Sequence, residues 1–174
     1  MSWLRAFLAR DESGSATLEF VILLPGFILL LLSSFELGML MTRHVMLDRA
    51  LDLAVRGVRI GTLEDGDHDT LVAALCENLP VLRGCAAEVK LEMRRIDVWA
   101  GAPVEMDGAD CVDHAEPDLP PRSWQQGGRN QLMILRVCAL FDPMFPTTGL
   151  GASLPRRSDG SYALIATSSF VVEP

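Results

Sequence analysis

A chain of 174 residues and 19.0 kDa has room for one modest domain. Its net charge of −8 supplies no basic face to displace counterions from a nucleic-acid backbone, so nucleic acid is excluded as a partner. At 49% hydrophobic residues disorder is excluded too, and a mean hydropathy of +0.26 with only 22% charge implies that the apolar residues are concentrated somewhere.

They are concentrated near the N-terminus. Residues 20–35 read FVILLPGFILLLLSSF with no charge, and after Glu36 the run Leu37-Gly38-Met39-Leu40-Met41 extends the stretch. Residues 20–41 thus reach the ~20 needed to cross a bilayer, and a transmembrane helix is expected over 15–41. Three residues are unusual for such a helix. Glu19 stands at its start and Glu36 near its exit, both close enough to the ends to reach the membrane interface. Pro25 removes a backbone donor and is expected to kink the helix or weaken its first turns. Gly26 and Gly38 are too far apart to make a GxxxG packing motif.

Beyond Met41 the pattern becomes amphipathic. Leu47, Ala50, Leu51, Ala54 and Val58 recur at helical spacing opposite Arg49, Asp52, Arg56 and Arg59. This predicts that residues 42–61 continue the helix, with Gly61 as its stop. Unbroken over 15–60, such a helix measures ~69 Å at 1.5 Å per residue.

Residues 63–69 (LEDGDHD) form an acidic turn. It lacks the spacing and closing glutamate of an EF-hand, so it reads as solvated and not as a metal site. A short helix is predicted over 71–79, capped by Asp69 or Thr70 and stopped by Pro80. Ala87, Val89, Leu91 and Met93 then alternate with Glu88, Lys90, Glu92 and Arg94, the pattern of a half-buried strand. The phase slips at Arg94-Arg95 before Ile96 and Val98, which predicts a bulge or short turn. Two more strands are predicted over 131–141 and 162–172, and an antiparallel order is taken for the three. Long loops over 101–128 and 142–160 separate them. Fourteen acids against five basic residues over 62–128 read as exposed solubilising charge.

Four cysteines, Cys76, Cys85, Cys111 and Cys138, include no CxxC pair, which disfavours zinc. Behind a membrane segment, two disulfides in an oxidising compartment fit better. Of the three possible pairings the preferred one is Cys76–Cys85, clamping the short helix to its turn, with Cys111–Cys138 tacking the long loop to a strand. His44, His68 and His114 are isolated in the sequence, and no GxSxG, HExxH or phosphate-binding glycine loop is present. The reading is of a structural chain, with no catalytic residue, metal or cofactor.

Three groups of residues carry a family resemblance. Gly14-Ser15-Ala16-Thr17-Leu18-Glu19-Phe20 resembles the type IV prepilin processing site: a glycine, a cut, then glutamate at the fifth mature position before an aromatic. Together with Leu24-Pro25 and Phe35-Glu36-Leu37-Gly38 it is similar to TadE-like proteins, the minor pilins or pseudopilins of the tight-adherence (Flp-type) pilus. The likeness covers about the first 60 residues.

The resemblance implies that residues 1–14 are a leader removed by the prepilin peptidase, after Gly14 and on the cytoplasmic side, leaving Ser15 as the new N-terminus. Glu19 would pair with a neighbouring subunit's terminal ammonium, which also relieves the cost of an acid at the bilayer edge. It further implies an α+β, type IV pilin-like fold: a long transmembrane and amphipathic helix, then a small exported head over 62–174 with an antiparallel sheet and long loops. The expected place is the bacterial inner membrane, single-pass, with the head periplasmic or extracellular. The implied partners are the lipid bilayer, other pilin and pseudopilin subunits and the inner-membrane assembly platform.

The arginine count points the other way. Arg43, Arg49, Arg56 and Arg59 follow the apolar stretch, whereas only Arg5 and Arg10 precede it. The orientation with a cytoplasmic N-terminus is kept because Asp48 and Asp52 interleave with the downstream arginines, and because the cysteines argue for export. The alternatives are an uncleaved single-pass membrane protein with an exported binding domain and, last, an exported enzyme.

Overall fold

The structure, a computed structural model, describes residues 15–60, 67–97, 108–116 and 119–173. Among the described residues seven elements follow one another: helices α1 (Ser15–Arg59), α2 (His68–Glu77) and α3 (Cys85–Glu88), strands β1 (Val89–Ile96) and β2 (Leu132–Phe141), helix α4 (Gly149–Ser153) and strand β3 (Tyr162–Val171). The class is α+β, a long apolar N-terminal helix followed by a small three-stranded antiparallel sheet of order β1-β2-β3. The described residues form two compact units, one within 15–38 together with Met144–Leu154, the other within 39–143 and 155–173.

In the second unit the core is built by period. Along α1, Leu47, Ala50, Leu51, Ala54 and Val55 are buried, while Arg49, Asp52, Arg56 and Arg59 stay exposed. Arg43 donates to the Asp142 carbonyl and the Tyr162 hydroxyl, each at 2.7 Å, and its guanidinium lies 5.2 Å from the Phe141 ring centre. At the other end of this stretch Arg59 pairs with Glu173 at 3.1 Å. Across the sheet, Leu91, Val137 and Ala166 stand in register on one face. Helix α2 adds Leu71, Val72 and Leu75 to the core. This helix spans His68–Glu77 rather than 71–79, and Asp67 occupies its N-cap with no side-chain bond. Helix α1 ends at Arg59, and the predicted stop Gly61 lies outside the described residues.

Strand β1 departs from its predicted character in two ways. It is buried on both faces from Val89 to Met93, not half-buried. Lys90 forms an ion pair with Asp110 at 3.3 Å, and Glu92 accepts hydrogen bonds from Arg136 Nε at 2.8 Å and the Asp110 amide at 3.2 Å. Residues 108–113 therefore supply polar partners to a face that the sequence pattern assigns to water, so these charges are internal and not solubilising. No bulge interrupts Arg94-Arg95 either. The ladder runs unbroken from Val89 opposite Ala139 to Ile96 opposite Leu132. What changes at the slip is which face carries the apolar residue, since Ile96 shares a face with Lys90 and Glu92. The outer edge of β1 is closed at Met93, which donates to the Ser123 carbonyl at 3.1 Å and accepts from the Gln125 amide at 2.9 Å. Alternation resumes cleanly in β3, where Tyr162, Ala166 and Phe170 are buried. Val98 lies outside the described residues.

Two disulfides join Cys76 to Cys85 and Cys111 to Cys138. The first links α2 to α3; the second ties the 108–113 segment to the centre of β2. Each is expected to contribute about 2–4 kcal/mol. Reduction should lower the thermal midpoint of the full-length protein, and the Cys111→Ala/Cys138→Ala variant should also expose Lys90 and Glu92 to solvent. An unchanged melt under reducing conditions would remove that role.

Candidate functional site

The first unit holds the residues singled out at the N-terminus. Leu18, Phe20, Val21, Ile22, Leu23, Phe27 and Leu30 all lie exposed on α1. The described helix from Thr17 onward is long and apolar enough to cross a membrane, and none of its most apolar window is buried among the described residues. Such a continuous apolar surface marks contact with lipid or with other helices. Glu19 is exposed on the same stretch, and α1 continues through Pro25 without interruption. Among the described residues a Cβ at Gly26 or Gly38 would meet nothing within 4 Å. Gly14 lies outside the described residues.

Glu36 is enclosed by the protein and closed off from solvent. Its side chain is fully buried, at 0% exposure. One carboxylate oxygen accepts the Met144 amide at 3.1 Å and the other the Phe145 amide at 2.9 Å. One turn earlier along α1, Ser33 Oγ accepts the Leu150 amide at 3.2 Å. Phe35 and Phe145 meet edge to face, with ring centres 6.1 Å apart. Two glycines allow this close approach. Gly149 has φ +53°, and a side chain there would strike Ser33; a Cβ at Gly151 would strike the Phe145 carbonyl and stand 3.4 Å from a Glu36 oxygen. The 142–160 loop is therefore partly ordered, with α4 inside it, and Glu36 is its receptor. The sequence trace of this arrangement is Gly149-Leu150-Gly151 within an uncharged run.

In the second unit, His114 is not isolated. Its Nε2 lies 3.3 Å from Glu88 and 3.6 Å from Asp159. Hydrogen bonds from the Ser161 hydroxyl and amide hold the Asp159 carboxyl below its ordinary range, helped by the charges of His114 and Arg157. The three residues, with Arg43 and Ser161, line an open cleft. His68 packs its ring edge-on to Trp124 at 5.1 Å and contacts Asp69. Among the described residues no cluster of histidine, cysteine or carboxylate side chains has the arrangement to hold a metal ion.

The apolar helix surface, the acid at its start and the acid buried near its far end all fall in one stretch of sequence. A family model described as TadE-like protein matches residues 14–56. Neither a curated protein nor a solved structure matches the chain. Over residues 14–56, which contain almost all of α1, the chain is matched to the TadE-like family.

Proposed function

We propose that this protein is a minor pilin or pseudopilin required for assembly of a tight-adherence pilus. The observation that carries the reading is the coincidence of the TadE-like match with an apolar helix that is described from Ser15, is not buried among the described residues and exposes Glu19. In this account the prepilin peptidase cuts after Gly14, and the apolar part of α1 stays with the mature chain as its inner-membrane anchor. The same helix later packs laterally among pilin subunits, guided by the assembly platform. Glu19 then pairs with the Ser15 ammonium of a neighbouring subunit. In low-dielectric surroundings that pairing offsets the desolvation of both charges. The protein acts by assembly and not by catalysis, with the sheet unit on the periplasmic or extracellular side.

Intact mass spectrometry of protein from a peptidase-competent host tests the processing step. The mature chain should begin at Ser15, and Gly14→Ala should retain the leader. A wild-type chain with its leader intact would favour an uncleaved single-pass protein with a binding domain. Glu19→Ala should leave cleavage in place and reduce piliation severely; normal piliation would remove the pairing role.

A further inference from the structure

Residues 143–155 (PMFPTTGLGASLP) are an uncharged run, thirteen residues long and bounded by Asp142 and by Arg156-Arg157. Their core, Met144–Leu154, belongs to the same compact unit as the apolar half of α1. It is fastened there by Glu36 and Ser33, the acceptors for Met144, Phe145 and Leu150. Local bonds satisfy other amides: Thr148 donates to Phe145, Ala152 to Thr148 and Leu154 to Leu150. Pro143, Pro146 and Pro155 have no amide hydrogen to satisfy. Irregular backbone tolerates membrane depth only when its polar groups are met within the protein or at a wet boundary. These bonds meet six of the segment's ten amides, the segment carries no charge, and Met144 is left 46% exposed.

Its depth follows from the helix it rests on. Over the 20–41 span the far boundary lies near Met41, which sets Glu36 about 8 Å and Ser33 about 12 Å inside it at 1.5 Å per residue. Interfacial elements bury themselves ~5–10 Å at the headgroup–acyl boundary. On the reading that α1 spans a bilayer, we infer that residues 143–155 form an interfacial wedge, held by Glu36, that contacts lipid beside the exit of α1. The chain then touches the membrane through two separate segments, the wedge continuing the lipid-facing surface of the helix. Glu36 is a positioning residue for this contact: it takes the amides that lipid cannot satisfy.

The test uses the full-length, disulfide-intact protein reconstituted in phosphatidylethanolamine–phosphatidylglycerol vesicles containing a phospholipid with a diazirine in its acyl chain. After photolysis, lipid adducts are mapped by peptide mass spectrometry. Adducts are expected on the apolar part of α1 and on residues 143–155, Met144 foremost, with none on β3. In Glu36→Ala the adducts on 143–155 should fall several-fold relative to those on α1. A labelled α1 with an unlabelled 143–155 segment would overturn the wedge and leave the anchor standing. An unlabelled α1 would overturn the anchor itself, and the wedge with it. The wild-type map decides the matter even if the variant misfolds.

Discussion

Replacing Glu36 with alanine should free Met144–Leu154 from α1. Two amides lose a buried, charged acceptor at once, and each such loss costs about 1–3 kcal/mol because the donor is left without a partner. A local loss of about 3 kcal/mol corresponds to roughly hundredfold faster hydrogen exchange at Met144 and Phe145. Leu150 should also exchange faster, since its bond to Ser33 depends on the same docking. Amides within β2, in the other compact unit, should keep their protection. Glu36→Gln retains one acceptor oxygen but turns an NH2 group toward the second amide, so it should fall between wild type and alanine. Residue-resolved exchange on full-length protein in lipid nanodiscs checks this. Unchanged exchange at Met144 and Phe145 in the alanine variant would show that the carboxylate does not hold the segment.

The second large effect lies on the sheet. Arg136 and Glu92 have side-chain exposures of 11% and 4%, so the pair is largely removed from water. Deleting one partner leaves the other as an uncompensated buried charge, at a cost of about 3–5 kcal/mol. Arg136→Met should therefore lower the thermal midpoint of the full chain by roughly 10 °C. The double variant Glu92→Leu/Arg136→Met should recover most of that loss, because buried ion pairs exchange for apolar pairs at little net cost. If the double variant is as unstable as the sum of the single ones, the face is held by something other than charge compensation. The measurement is thermal unfolding followed by circular dichroism in the same detergent for Glu92→Leu, Arg136→Met and the double variant, each against wild type.

Much of this architecture is legible in the sequence because it rests on local patterns. The spanning stretch of α1 shows in composition alone, and its second half in the recurrence of Leu47, Ala50, Leu51 and Ala54. The strands show in alternation, and their predicted bounds differ from β2 and β3 by a single residue. Misreadings arise where a residue's surroundings come from far along the chain. Lys90 and Glu92 look like a wet strand face because alternation reports polarity and not exposure, and their partners Asp110 and Arg136 sit on other elements. The apparent bulge at Arg94-Arg95 is an exchange of apolar character between faces, which a single strand cannot distinguish from an inserted residue.

Within the candidate site the same limit applies more sharply. Glu36 is bonded to backbone amides more than a hundred residues downstream, at Met144 and Phe145, and backbone donors leave no side-chain signature. Only the small residues that permit the approach, Gly149 and Gly151, mark its partner segment. His114 gathers Glu88 and Asp159 through tertiary placement, so its cluster has no spacing to recognise. The TadE-like signature, by contrast, is contiguous and short, which is why it is visible without the fold.

The central claim is that the apolar half of α1 is kept as a permanent anchor. Alkaline carbonate extraction of membranes from cells producing the full-length chain tests it most directly. The protein should remain in the pellet, leave it only with detergent, and yield peptides spanning residues 20–41. A product that partitions into the carbonate supernatant, or is recovered dissolved without detergent while still carrying that stretch, would contradict the account.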